Sequence, residues 1–163
     1  MKRVLQYNTE QLLSVAIEEA WNFFSTPKNL ALITPPDLDF RILTKLDDGE
    51  IYTGMIINYM VRPLFGIPVR WKTEICEVNK PFSFTDRQVS GPYKTWIHRH
   101  EFIKKDNGVL VKDEVRYELP FGVLGNIGKW LVQNRVEKIF EYRRQILQRI
   151  FNPDPGSQHS HTA

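Results

Sequence analysis

The chain has 163 residues, 42% hydrophobic, 12% aromatic and 25% charged, which is the balance of a globular protein able to bury a core without disulfides or structural metal. Its 22 Lys and Arg against 19 Asp and Glu give a formal charge of +3, scattered without a basic stripe or arm, so nucleic acid is not an expected partner. No apolar run reaches the roughly 20 residues of a transmembrane segment, Lys2-Arg3 does not lead into a signal-peptide core, and the lone Cys76 fits a reducing compartment, so a cytoplasmic location is expected.

Val4, Leu5, Tyr7, Leu12 and Leu13 predict a long, imperfectly alternating strand over 2–13. Ile17, Ala20, Trp21 and Phe24 then recur at helical spacing, with Glu18 and Glu19 in the first turn where they suit the helix dipole, which predicts a short helix over 17–25. Thr26 before Pro27 reads as an N-cap and first helical residue, opening a second short helix that Pro35-Pro36 stops after Thr34.

From Phe40 the period falls to two. Strands are expected over 40–46 and 51–61 around the turn Asp47-Asp48-Gly49-Glu50, then over 69–78, 82–90, 93–104 and 108–119, separated by Asn79-Lys80-Pro81, Gly91-Pro92 and Asp106-Asn107-Gly108. After Pro120-Phe121-Gly122 a helix is expected over 122–151. Leu124, Ile127, Leu131, Ile139, Tyr142, Ile146 and Ile150 mark one face, and Val132, Val136, Phe140, Leu147 and Phe151 widen the apolar arc beyond what a flat sheet would cover. Asn152-Pro153 ends this helix, and the tail 152–163, which carries His159 and His161, has almost nothing to bury. One domain over 1–151 is therefore expected, with no internal repeat.

Seven strands joined by short turns, without crossover helices, cannot form a parallel α/β sheet. The order implies an α+β chain in which a curved antiparallel sheet wraps a long C-terminal helix and leaves room for a small molecule.

Several motifs carry a family resemblance over about residues 1–151. These are Glu19-Ala20-Trp21-Asn22-Phe23-Phe24 with Pro27, Leu30, Ile33, Thr34 and Pro35; Phe84, Asp86 and Gly91-Pro92-Tyr93; Trp96-x-His98-x-His100-x-Phe102; and Asp113, Tyr117, Leu119-Pro120 and Gly122. This set resembles the START-like helix-grip (SRPBCC) superfamily, in particular a bacterial ligand-binding branch that is similar to polyketide cyclase/dehydratase proteins. The resemblance implies a helix-grip fold that binds, transports or sequesters a small hydrophobic or lipid-like molecule. It also allows a cyclase/dehydratase-type enzyme acting on a polyketide or aromatic substrate, and a non-catalytic interaction domain with a filled core is the third reading.

Strand 93–104 carries the sharpest local signal, because Trp96, His98, His100 and Phe102 share one face. Pairing across Asp106-Asn107-Gly108 sets His100 opposite Asp113, His98 opposite Val115 and Trp96 opposite Tyr117. A three-residue Gly91-Pro92-Tyr93 loop sets Asp86 opposite His98, Phe84 opposite His100 and Gln88 opposite Trp96, and keeps Phe82 and Phe84 inward. An inward cluster of Asp86, His98, His100 and Asp113 follows, with Gln88 and Tyr117 nearby. Carboxylates beside imidazoles favour charged histidines and can serve as a general acid and base; the same groups can pair structurally, bond a ligand or hold a transition metal. His-x-His without a third ligand of known position commits to no metal, and no nucleophile motif or phosphate loop points to a cofactor. Arg135 is placed in the helix's apolar arc, facing the sheet or cavity, or else snorkelling or ion-paired, and Arg87 shares that ambiguity. The expected ligand-binding residues are Trp71, Trp96, His98, His100, Val115, Tyr117, Leu131, Arg135 and Tyr142.

Overall fold

The computed structural model describes residues 4–46, 49–119 and 126–152. Asp47-Asp48 of the expected turn, the segment Pro120–Gly125 with Leu124, and the tail from Pro153 lie outside the described residues, as do the first three positions. Among the described residues the order is β1 (Leu5–Leu13), α1 (Ile17–Phe24), two 3-10 turns (Pro27–Ala31 and Pro36–Leu38), β2 (Arg41–Ile42), β3 (Ile56–Val61), β4 (Val69–Asn79), β5 (Ser83–Ser90), β6 (Thr95–Lys105), β7 (Gly108–Glu118) and α2 (Asn126–Phe151). The strands form one antiparallel sheet in the order β1-β7-β6-β5-β4-β3-β2, so the chain ends its sheet beside the strand with which it began. This is the helix-grip architecture implied by the sequence resemblance. Among the described residues no helix is long and apolar enough to cross a membrane.

Four local expectations are corrected, the first being the strand over 51–61, which begins only at Ile56 because residues 52–55 form a turn closed by Met55 N on the Tyr52 carbonyl. The second short helix is a 3-10 turn. The Thr26 side chain does not cap it but donates to the Asn22 carbonyl at 2.7 Å, closing the end of α1 instead. Strand β2 is only two residues long. Past Ile42 the ladder continues through Leu43 N to Asn58 O (2.8 Å), after which the Thr44 hydroxyl accepts from Asn58 N (2.8 Å) and replaces the backbone partner that a longer strand would supply. Phe82 is 54% exposed because it stands in the turn before β5, where its amide bonds the Asn79 carbonyl, so the inward parity begins only at Phe84.

Helix α2 lies across β1 and β7 and packs its Val132, Val136, Phe140, Leu147 and Phe151 stripe on the concave face. Tyr7 and Phe140 meet at 4.9 Å between ring centroids, and Arg144 reaches Thr9 and the Glu10 carbonyl, each at 3.1 Å. Asn152, at the boundary of the expected tail, ties the end of α2 to β1. Its Oδ1 accepts from Ser14 N (2.8 Å) and its Nδ2 donates to the Leu12 carbonyl (2.9 Å). At the same corner Gly108 has φ +146°, and a Cβ built there falls 2.0 Å from the Leu13 carbonyl oxygen, so β7 can begin this close to β1 only with glycine. The rest of the sheet, β3 to β5, lies beyond the strands on which α2 packs. Trp21, α1 and the 3-10 turns close that half from one end, with Trp21 edge-on to Phe84 and Phe102 at 5.9 Å.

Candidate functional site

Burial alternates along β6 and β7 with strict period two, so His98 and His100 stand between buried Trp96 and Phe102 while Asp113 stands between Val111 and Val115. The register sets His100 opposite Asp113, His98 opposite Val115, Asp86 opposite His98 and Phe84 opposite His100, all as the turn lengths predict. Gln88 does not join the cluster. Its side chain is held by Tyr93, accepting from the Tyr93 amide (3.2 Å) and donating to its carbonyl (2.7 Å), and this fixes the Gly91-Pro92-Tyr93 loop.

Hydrogen bonding within the cluster is crossed relative to strand pairing. His98 Nε2 lies 2.8 Å from Asp113 Oδ1, and His100 Nε2 lies 3.3 Å from Asp86 Oδ2. The directly opposite pairs are also close, at 2.9 Å for His100 Nδ1 and Asp113 Oδ1 and 3.8 Å for His98 Nδ1 and Asp86 Oδ2. The two imidazoles lie 3.8 Å apart between centroids, and Phe84 stacks on His100 at 4.1 Å, which fixes the ring plane. From α2 comes a residue that the sequence reading missed. Arg143, 6% exposed, places Nη2 3.3 Å from Asp113 Oδ1 and 3.4 Å from His100 Nδ1, with its guanidinium over the Phe24 and Phe140 rings.

Arg143 changes the electrostatics expected of the cluster. Burial pushes the Asp113 carboxyl up, but the Arg143 guanidinium and the hydrogen bonds from both imidazoles outweigh it and hold the group well below the usual carboxylate range. Burial, together with neighbouring His100, lowers His98 despite the carboxylates, so His98 is neutral near pH 7. The expectation of charged histidines is corrected for His98, where burial and the neighbouring His100 outweigh the two carboxylates.

A cavity of about 190 Å³ opens between β3–β6, the 3-10 turns and one side of α2. Its wall is mostly apolar, including Leu30, Phe40, Tyr59, Trp71 and Phe140, and its polar end is formed by Asp86, His98, His100 and Arg143. Two donors in this wall, Trp71 Nε1 and Arg143 Nε, are buried without a hydrogen-bond partner among the described residues. Among the expected ligand-binding residues, Trp71, Trp96, His98 and His100 line the cavity. Val115 and Tyr117 do not, because α2 covers that part of the concave face and packs them against Val132 and Val136.

Leu131, Arg135 and Tyr142 also lie outside the lining, since the buried stripe of α2 is centred elsewhere. Measured from Val136, Arg143 is about 20° around the helix, whereas Arg135 is about 100° away. Arg135 instead donates from Nη1 to Asp37 Oδ2 (2.7 Å) and from Nε to the Pro63 carbonyl (2.9 Å), strapping α2 to the two loops at the open end of the sheet. Arg87 faces outward to Glu74 at 2.7 Å.

No family profile matches the chain, and no curated protein matches it. Solved structures do. A START superfamily protein from Mycobacterium smegmatis superposes with a TM-score of 0.65 at 13% identity, over 90% of this chain and 98% of that one. Protein CV1439 from Chromobacterium violaceum gives 0.68 at 13% identity over 91% and 98%. A norcoclaurine synthase from Thalictrum flavum, bound to a transition-state analogue, gives 0.63 at 11% identity over 92% and 98%. The order of sheet, 3-10 turns and long helix is thus a fold shared with these solved structures, the helix-grip fold.

Proposed function

We propose that the protein binds a small, mostly apolar molecule carrying one or two hydrogen-bond acceptors, for transport or sequestration, in the cavity between sheet and α2. The observation that carries this reading is the pair of unpartnered buried donors, Trp71 Nε1 and Arg143 Nε, in an otherwise apolar wall. A buried donor without a partner costs roughly 1–3 kcal/mol, which an acceptor on a bound molecule would recover. The fold supports the same reading, since its neighbours include a START superfamily protein. Native mass spectrometry of freshly purified protein, followed by solvent extraction, tests it. A bound species that leaves on extraction and protects against thermal unfolding is expected. Bare protein whose melting point no hydrophobic compound library moves would refute it.

A second reading is supported by His100 and Asp86, which stand together in the cavity wall at 3.3 Å and could move a proton on a bound polyketide or aromatic molecule as a cyclase or dehydratase would. One fold neighbour, norcoclaurine synthase, is an enzyme. Turnover of a co-purifying compound, lost in Asp86→Asn with binding retained, separates this from simple binding.

A further inference from the structure

The geometry points to a binding site for a divalent first-row transition metal, of the Zn²⁺ type, formed by Asp86, His98 and His100 at the polar end of the cavity. The sequence supplies two histidines at a strand spacing and no third ligand; the β5–β6 register supplies the third. One ligand atom from each of the three residues lies within 4.8 Å of the others. Asp86 Oδ2 is 3.3 Å from His100 Nε2 and 3.8 Å from His98 Nδ1. A metal with ligands at about 2.0–2.2 Å in tetrahedral geometry holds them roughly 3.4 Å apart, so small side-chain shifts bring these atoms into place.

The groups behind the ligands fit as well. Asp113 Oδ1 lies 2.8 Å from His98 Nε2 and 2.9 Å from His100 Nδ1, which are the nitrogens opposite those facing Asp86. A carboxylate that accepts from the far N–H of both imidazoles fixes the tautomers in which the near nitrogens carry lone pairs, as carboxylates behind metal-bound histidines do. Arg143 Nη2, 3.3 Å away, holds that carboxylate in turn. By its hydrogen bond to Asp113, His98 already has its hydrogen on Nε2 and a lone pair on Nδ1 turned toward a carboxylate oxygen. The contact between His100 Nε2 and Asp86 Oδ2 is long at 3.3 Å, a weak bond for a metal to replace.

Charge points the same way, since two carboxylates meet one guanidinium here. A dication bound to three protein ligands leaves a net positive charge and an open coordination position facing the cavity. An anionic oxygen, hydroxide or an oxyanion on the bound molecule, completes both.

The test uses the full chain carrying His159→Ala and His161→Ala, so that tail imidazoles contribute nothing. Metal-free protein is titrated with Zn²⁺ by calorimetry and with Co²⁺ by visible absorption. One equivalent per chain is expected, with the intense visible bands of a low-coordinate Co²⁺ site and a higher melting point with Zn²⁺. Asp86→Asn, which keeps side-chain shape, and His100→Gln should each abolish the Co²⁺ bands. Asp113→Asn, behind the ligands, should weaken Zn²⁺ by about 10–100-fold while retaining one equivalent. Folding of each variant is checked by circular dichroism, and Asp86→Asn serves where His100→Gln fails to fold. Absence of stoichiometric binding, or binding that Asp86→Asn leaves unchanged, overturns the site.

Discussion

Replacing Arg143 with methionine keeps most of the side-chain length and removes only the cation. In the native protein its Nη2 stands 3.3 Å from Asp113 Oδ1, and the two side chains are 8% and 7% exposed. At an effective dielectric of about 20 a pair at this distance attracts with roughly 5 kcal/mol before desolvation. Removing one partner leaves the other buried and charged, a loss that runs at about 3–5 kcal/mol. Asp113 keeps its hydrogen bonds from the two histidines, so the lower part of that range is expected. For a chain of this size each kcal/mol moves the melting point by about 2–4 °C, so Arg143→Met should melt roughly 6–12 °C lower at pH 7. Urea and thermal denaturation are compared with Arg135→Met, whose partner Asp37 is 64% exposed and whose loss should cost no more than about 1 kcal/mol. If Arg143→Met loses no more than Arg135→Met, the guanidinium is not what holds Asp113 charged. A double variant with Asp113→Asn should recover most of the loss; independent, additive effects would also count against the pairing.

Other outcomes follow from the same structure. In metal-free protein, stability should fall on acidification. The depressed pKa of His98 contributes stability that is present above the unfolded histidine value near 6.5 and lost as pH falls through the folded one; the depressed Asp113 does the same below about 3.9. Urea midpoints that rise between pH 7 and pH 4 would contradict this sign. Trp71→Phe should leave stability within about 1 kcal/mol, because it deletes an unpartnered donor, yet weaken the extracted ligand by roughly 2–10-fold, read by calorimetry. Gly108→Ala should lose at least about 2 kcal/mol in urea, since its Cβ meets backbone at 2.0 Å at a φ that side chains avoid; a neutral effect would show the corner to be more open than described. Arg135→Ala should speed ligand release with little change in melting point, measured by stopped-flow displacement.

The parity of β6 and β7 was legible because period two is local: once Trp96 and Phe102 define an inward face, His98 and His100 must share it, and the short Asp106-Asn107-Gly108 turn carries the register to Asp113. The Gly91-Pro92-Tyr93 loop extended the same logic to Asp86. What local pattern cannot supply is where α2 lies across the sheet. Its apolar arc is wide enough to admit several centres, and choosing the stripe through Leu131 and Ile139 put Arg135 inward and hid Arg143. The signal was nevertheless present, since Val136, Phe140, Arg143 and Leu147 follow one another by four, three and four residues. The same missing fact sent Val115 and Tyr117 to the cavity rather than beneath the helix.

The described ties of α2 are unlike along its length. At one end Asn152 is bonded to backbone on both sides of β1's exit, beside a glycine with no room for a side chain. Nearer the other end Arg135 spans to one exposed carboxylate and one carbonyl, bonds that water can replace at little cost. The ties at Arg135 are therefore the ones that water can loosen, while Val132 and Val136 stay packed on Val115 and Tyr117 and hold the helix to the sheet.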